Sequence, residues 1–139
     1  MTDSLRQTLR DAGLKRTEAR VAVLGAIQQL GVPVTHADLL KHAHVAELDE
    51  ITVYRTLATL VEADLVHRVF GTDGAWRYCA QPADRSGCPG NHAHFLCLDC
   101  GRMSCLVDQV MPRVEVPDGT RVTGRSLVAF GQCADCART

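Results

Sequence analysis

Four cysteines fall in two Cys-x-x-Cys pairs, Cys97 with Cys100 and Cys133 with Cys136. Two intervening residues let both sulfurs of a pair converge on one ion, and four thiolates match the tetrahedral preference of zinc. They also close the coordination sphere. The site therefore reads as structural and leaves no open position for catalysis. A single Cys-x-x-Cys can instead be a thiol–disulfide couple, but two pairs in one chain favour zinc. The gap between the pairs is longer than in a simple zinc ribbon, so a substructure is expected to be stapled across it.

A second cluster mixes histidine with cysteine. His92 and His94 lie two apart on an expected strand, so both side chains project from one face. His67 and Cys79 fall on the two arms of an expected hairpin. With a three-residue loop, 71 opposes 75 and 67 opposes 79, close enough to share an ion. One thiolate among imidazoles suits zinc better than magnesium, calcium or manganese. The expectation is a tetrahedral regulatory site of His67, Cys79, His92 and His94, with Cys105 able to replace either strand histidine. Cys88 is expected to have no role, and Asp64 reads as a solvated acid at a helix end. His36, His42 and His44 read as a solvated helical face.

At 139 residues with a formal net charge of −1, the chain suits one domain or two small ones sharing an interface. The charge argues against a nonspecific nucleic-acid coat but leaves sequence-specific DNA binding open, where a few positioned cations suffice. The polar start and the lack of a long apolar run predict a soluble, cytoplasmic protein. Seven cysteines, an odd number, with metal-like spacing point to a reducing compartment and not to disulfides.

Positioning these residues requires two units, an α+β architecture. Residues 4–13 and 17–30 read as helices, the second capped by Thr17 and stopped by Gly31. A third helix is expected from Thr35 through Ala43, opened by a capping-box-like pair with Asp38. A fourth, over 51–63, carries Val53, Leu57, Leu60 and Val61 on one stripe and Thr52, Arg55, Thr56 and Thr59 on the other. Strands over 65–70 and 75–79 flank a turn at 71–74. Helices followed by a small hairpin describe a winged helix-turn-helix, with the fourth helix as reader and the hairpin as wing. The expected boundaries are a DNA-binding domain over 1–82, a hinge over 83–91 and a zinc-stapled dimerisation domain over 92–139. In the last, a strand at 92–98, a helix at about 104–114 and a strand at 120–130 are expected. So short a unit needs its zinc and a partner chain.

The chain resembles the ferric uptake regulator family of bacterial metalloregulators. Thr52-Val53-Tyr54-Arg55-Thr56-Leu57, His92-Ala93-His94-Phe95-Leu96-Cys97-Leu98-Asp99-Cys100-Gly101 and Cys133-Ala134-Asp135-Cys136 carry the resemblance. It implies a homodimeric, metal-dependent repressor that binds a palindromic double-stranded DNA operator. Tyr54 and Arg55 match DNA-contacting positions, and Lys15 matches one that approaches the minor groove. Thr52 and Arg16, with Arg20, are further expected contacts. Two departures bear on the metal. Pro33 stands where the iron-sensing branch has a histidine, and no glutamate lies between Cys79 and His92. Cys79 is similar to the zinc uptake regulator branch. Asn91, Ala93, Pro112 and Arg125 occupy the places of a third metal site, so two Zn2+ ions per protomer are expected, one structural and one regulatory.

The expected function is zinc-responsive repression of zinc uptake and homeostasis genes. An iron- or manganese-dependent regulator or a peroxide sensor of the same family is the alternative, and Cys79 speaks against the peroxide sensor. A zinc enzyme is remoter. It needs an open coordination position and a general base, and neither a His-Glu-x-x-His helix nor a His-x-Glu ahead of Pro-Cys-x-x-Cys is present. A protein-binding zinc module would not need the recognition-helix motif.

Overall fold

The computed structural model describes residues 2–80, 92–110, 112–123 and 125–138. Helix α4 (Glu50–Glu62) buries Val53, Leu57 and Leu60, the stripe that helical spacing requires. They close onto Val23, Leu24 and Ile27 of α2 (Glu18–Leu30), with Leu9 of α1 (Thr2–Asp11) and Leu39 of α3 (His36–Leu40) in the same cluster. Side-chain caps set three helix starts. The Thr17 hydroxyl accepts the Arg20 amide at 3.2 Å, and Thr35 and Asp38 form a reciprocal capping box. Asp49 accepts the Thr52 amide at 2.7 Å. Gly31 ends α2 at φ 68°, a left-handed geometry that glycine takes without a Cβ penalty.

Behind α4 stands the hairpin of β2 (Val66–Phe70) and β3 (Trp76–Ala80), with the short β1 (Val34–Thr35) added to β3. Its register places His67 opposite Cys79, as the sequence predicts. The hairpin is two-sided. Val66, Tyr78 and Ala80 join the helical core. By strand alternation, His67, Val69, Arg77 and Cys79 share the other face. Val69 packs there with Leu96 and Met103 of the C-terminal sheet.

That sheet has β4 (His92–Cys97) at its centre, antiparallel to β5 (Met103–Val110) and parallel to β6 (Val128–Gly131). A short α5 (Ala134–Ala137) follows. The mixed α and β class is as expected, but several elements differ. The helix expected at 104–114 is strand β5, because β4 offers a free edge whose pairing outweighs the local helical pattern. The strand expected over 120–130 is reduced to Val128–Gly131, since the chain must then turn Cys133 toward Cys97. The third helix ends at Leu40 and not at Ala43. There the His42 ring accepts the His44 amide at 3.1 Å, a local bond that competes with the helix. Thr56 is buried, not on the polar face, and its hydroxyl donates to Thr52 O at 2.7 Å. His36 is no solvated side chain either: its Nε2 is buried, and its ring stands edge-on to Tyr54. The segment 83–91, with Cys88 and Asn91, lies outside the described residues.

At the hairpin tip, hydrogen bonds from Arg77 hold the Asp73 carboxyl down to about 2 from an ordinary 3.8. A depressed carboxylate contributes stability above its unfolded pKa and loses it as pH falls through the folded one. Asp73 is more than a third exposed, so solvent screens the pair. Asp73→Asn is expected to cost about 1 kcal/mol at neutral pH, read by urea unfolding. The difference from wild type should fade as pH drops from about 4 to about 2.

Candidate metal centres

The four cysteines converge. Cys97 ends β4, Cys100 lies in the turn that follows, and Cys133 and Cys136 flank the start of α5. Their sulfurs all lie within 4.8 Å of one another. Cys100 and Cys133 sulfurs are 4.0 Å apart, against about 3.8 Å for two thiolates on a tetrahedral zinc. Cys97 Sγ accepts the amides of Cys100 at 3.4 Å and Cys133 at 3.3 Å. These two amides lower the Cys97 thiol to about 6, which favours its thiolate form. The Cys136 thiol is pushed up by the neighbouring Cys133 and Cys97 sulfurs and by burial, as expected when negative sulfurs crowd together without a cation. Donor type, spacing and backbone amides all fit a structural zinc.

The second cluster is formed by His92, His94 and Cys105, whose ligand atoms also lie within 4.8 Å. His94 sits opposite Cys105 in the β4–β5 register, so both side chains share one face. Both histidines are 3% exposed, with ring centroids 4.5 Å apart. His92 Nδ1 lies 2.8 Å from Ala93 O. A proton on Nδ1 would donate there, which makes Nε2 the lone-pair nitrogen. His67 and Cys79 oppose each other on the wing and do not join the 4.8 Å set. Their face is nevertheless the one that packs, through Val69, on the face carrying Leu96 and Met103. Leu96 and Met103 are the next same-face pair after His94 and Cys105. Among the described residues no carboxylate joins either cluster. Asp64 is exposed, with φ 60° just beyond α4. Of the third-site positions, Arg125 Nη1 donates to Pro112 O at 3.0 Å, and Ala93 is buried.

The outer face of α4 presents Tyr54 and Arg55 to solvent. Thr52 is less available, because its hydroxyl donates to Asp49 at 3.0 Å. Those Thr52 bonds hold the Asp49 carboxyl below its usual range. Ile51, which sequence reasoning passed over, is 63% exposed beside Tyr54. Its sequence signal is an apolar residue one helical turn before Tyr54 and Arg55, off the apolar stripe. Lys15 and Arg16 are exposed beyond α1, and Arg20 donates to Lys15 O at 3.1 Å.

A four-helix unit with a hairpin behind its last helix, joined to a small sheet with a four-cysteine cluster, defines a two-part protein whose thiols could hold a metal. Residues 11–116 match the ferric uptake regulator family, and the chain belongs to it. It is a metal-responsive transcriptional regulator and not an enzyme. A ferric uptake regulation protein of Vibrio anguillarum is 31% identical over 138 residues, 93% of this chain and 87% of that protein. Another, of Campylobacter jejuni, is 27% identical over 145 residues, covering 98% and 88%. The solved ferric uptake regulator of Vibrio cholerae superposes with a TM-score of 0.65 at 26% identity, covering 92% of this chain and 98% of that one. A zinc uptake regulator complexed with zinc and DNA has the same TM-score at 19% identity, covering 99% and 93%, a likeness of fold alone. Among the described residues no helix is long and apolar enough to cross a membrane.

Chelation of the four-cysteine ion, or Cys136→Ser, is expected to unfold the C-terminal sheet, because binding free energy there is largely folding free energy. Loss of strand signal in far-UV circular dichroism, with the helices retained, checks this.

Proposed function

We propose that the chain is a zinc-responsive, sequence-specific DNA-binding repressor, acting as a homodimer on a palindromic operator of zinc uptake and homeostasis genes. The observation that carries zinc is the donor set. Two imidazoles and one thiol cluster on the sheet, a further imidazole–thiol pair lies on the wing face turned toward it, and among the described residues no carboxylate joins the cluster. Soft and borderline donors favour zinc over manganese or iron(II). The names of the relatives favour the other reading, an iron-dependent regulator.

In this reading Cys97, Cys100, Cys133 and Cys136 hold a structural zinc. His67 and Cys79 from the wing, with His92 and His94 from the sheet, supply the four ligands of the regulatory zinc, and Cys105, clustered with the two histidines, can replace either of them. Domains over 1–82 and 92–139, joined by 83–91, are thereby tied together. DNA presents two half-sites at fixed spacing and helical phase. Tying each wing to the dimerisation sheet raises the fraction of dimers already at that spacing. By linkage, operator binding tightens the regulatory zinc by the same factor. Tyr54 and Arg55 face the bases and backbone from α4, and Lys15 and Arg16 neutralise phosphate.

Fluorescence anisotropy on a palindromic operator, with buffered free zinc, ferrous iron and manganese titrated in parallel, tests the reading. Operator binding should follow zinc; binding that follows iron or manganese would replace zinc as the sensed metal. Arg55→Ala is expected to weaken operator binding by at least about tenfold, with zinc stoichiometry intact. Cys79→Ser should weaken one exchangeable zinc and spare the chelator-resistant one. Loss of both ions together, or of neither, would remove Cys79 from the ligand set.

A further inference from the structure

Arg77 is a buried cation placed between the two units. It is 3% exposed, on the wing face turned toward the C-terminal sheet. Nη1 and Nη2 donate to the two carboxylate oxygens of Asp73 at 3.0 and 2.8 Å, a bidentate pair within the hairpin. Nη2 also donates to the Gly101 carbonyl at 2.9 Å, across the unit boundary. Gly101 directly follows Cys100. Its amide donates to Cys97 O at 2.9 Å, and its φ of 78° is left-handed, which favours glycine. The same turn brings the Cys100 amide onto Cys97 Sγ. The oxygen that receives Arg77 is therefore set by the turn that must close for Cys97 and Cys100 to share one ion.

The space around the guanidinium is equally specific. A Cβ on Gly71 would overlap Arg77 Nη1 and stand 2.6 Å from Asp73 Oδ1. Val69, directly opposite Arg77 in the hairpin, is buried in one cluster with Leu96 and Met103. A guanidinium this buried is costly to leave with an acceptor missing. If the turn opens, Arg77 loses its C-terminal acceptor and the wing loses this polar tie to the sheet.

We infer that Arg77 is a positioning residue that couples occupancy of the four-cysteine site to the seating of the wing, independently of the second metal cluster. Coupling is reciprocal: whatever the ion contributes to wing seating, the Arg77 contact contributes to ion retention. The inference rests on the four cysteines holding a metal.

The test uses the full-length protein loaded with cobalt(II), whose absorption distinguishes four thiolates from a mixed histidine–thiolate set. The readout is the rate at which excess chelator removes the four-thiolate ion. Arg77→Gln removes the donor fork, and Gly71→Ala displaces it without altering its chemistry. Each is expected to release the ion about tenfold faster, the scale of one charge-assisted hydrogen bond. Arg77→Lys keeps the charge without the planar fork and should fall between. Leu39→Ala, in the helical core, lowers general stability and should release at the wild-type rate. Should Arg77→Gln not fold, Gly71→Ala carries the same expectation. Wild-type release rates in both Gly71→Ala and Arg77→Lys would overturn the coupling, as would equal acceleration by Leu39→Ala. A wild type with no four-thiolate spectrum would instead overturn the metal reading, and the inference with it.

Discussion

Among the described residues the C-terminal unit has three strands and a four-residue helix with little buried apolar surface of its own, so the meeting of four sulfurs at one point is the constraint it leans on most. Its own fully buried apolar contribution centres on Leu96 and Met103, and the third buried member of that cluster, Val69, comes from the wing. The Cys97 end of β4 is tied to the start of α5 by an amide-to-sulfur bond from Cys133. Strand β6 is short because it delivers Cys133 to that point. The N-terminal unit has no such dependence. Its helices share a continuous apolar cluster and carry their own caps.

The hairpin joins these two regimes because both of its faces are used. One face completes the helical core through Val66, Tyr78 and Ala80. The other carries His67, Val69, Arg77 and Cys79 against the sheet. A strand with one solvated face would leave the reading helix indifferent to events at the metal clusters. A hairpin packed on both faces is the element that could, under the proposed function, carry such a change, since packed interfaces shift between discrete arrangements. The wing's His67 and Cys79, the apolar contact and the buried guanidinium all lie along this one seam.

Much of the helical unit was legible in the sequence because its signals are local. Thr17 and Thr35 accept amides three residues on, Gly31 donates its own amide to Ile27 O four residues back, and the Val53, Leu57, Leu60 stripe follows from a 3.6-residue period. The hairpin register was equally local, following from loop length. The C-terminal unit was less legible. Residues 104–110 carry apolar side chains that suit a helix or a strand, and the open edge of β4 decides for strand. Thr56 and His36 looked solvent-facing by type, yet tertiary packing buries the one and the Nε2 of the other.

The spacing of Cys97 with Cys100 and of Cys133 with Cys136 by itself determined that each pair could converge on one ion, because two residues between ligands is a constraint of covalent reach, while the meeting of the two pairs is tertiary. The opposition of His67 and Cys79 was likewise determined by counting along a hairpin. Only the tertiary structure decided that Cys105 stands beside His94, because that pairing depends on which strand lies next to β4. It alone placed the Gly101 carbonyl on Arg77, a contact between residues 24 apart that no local pattern encodes. Short-range chemistry is written in sequence spacing; which faces are pressed together is settled by where the chain can bury its few apolar side chains.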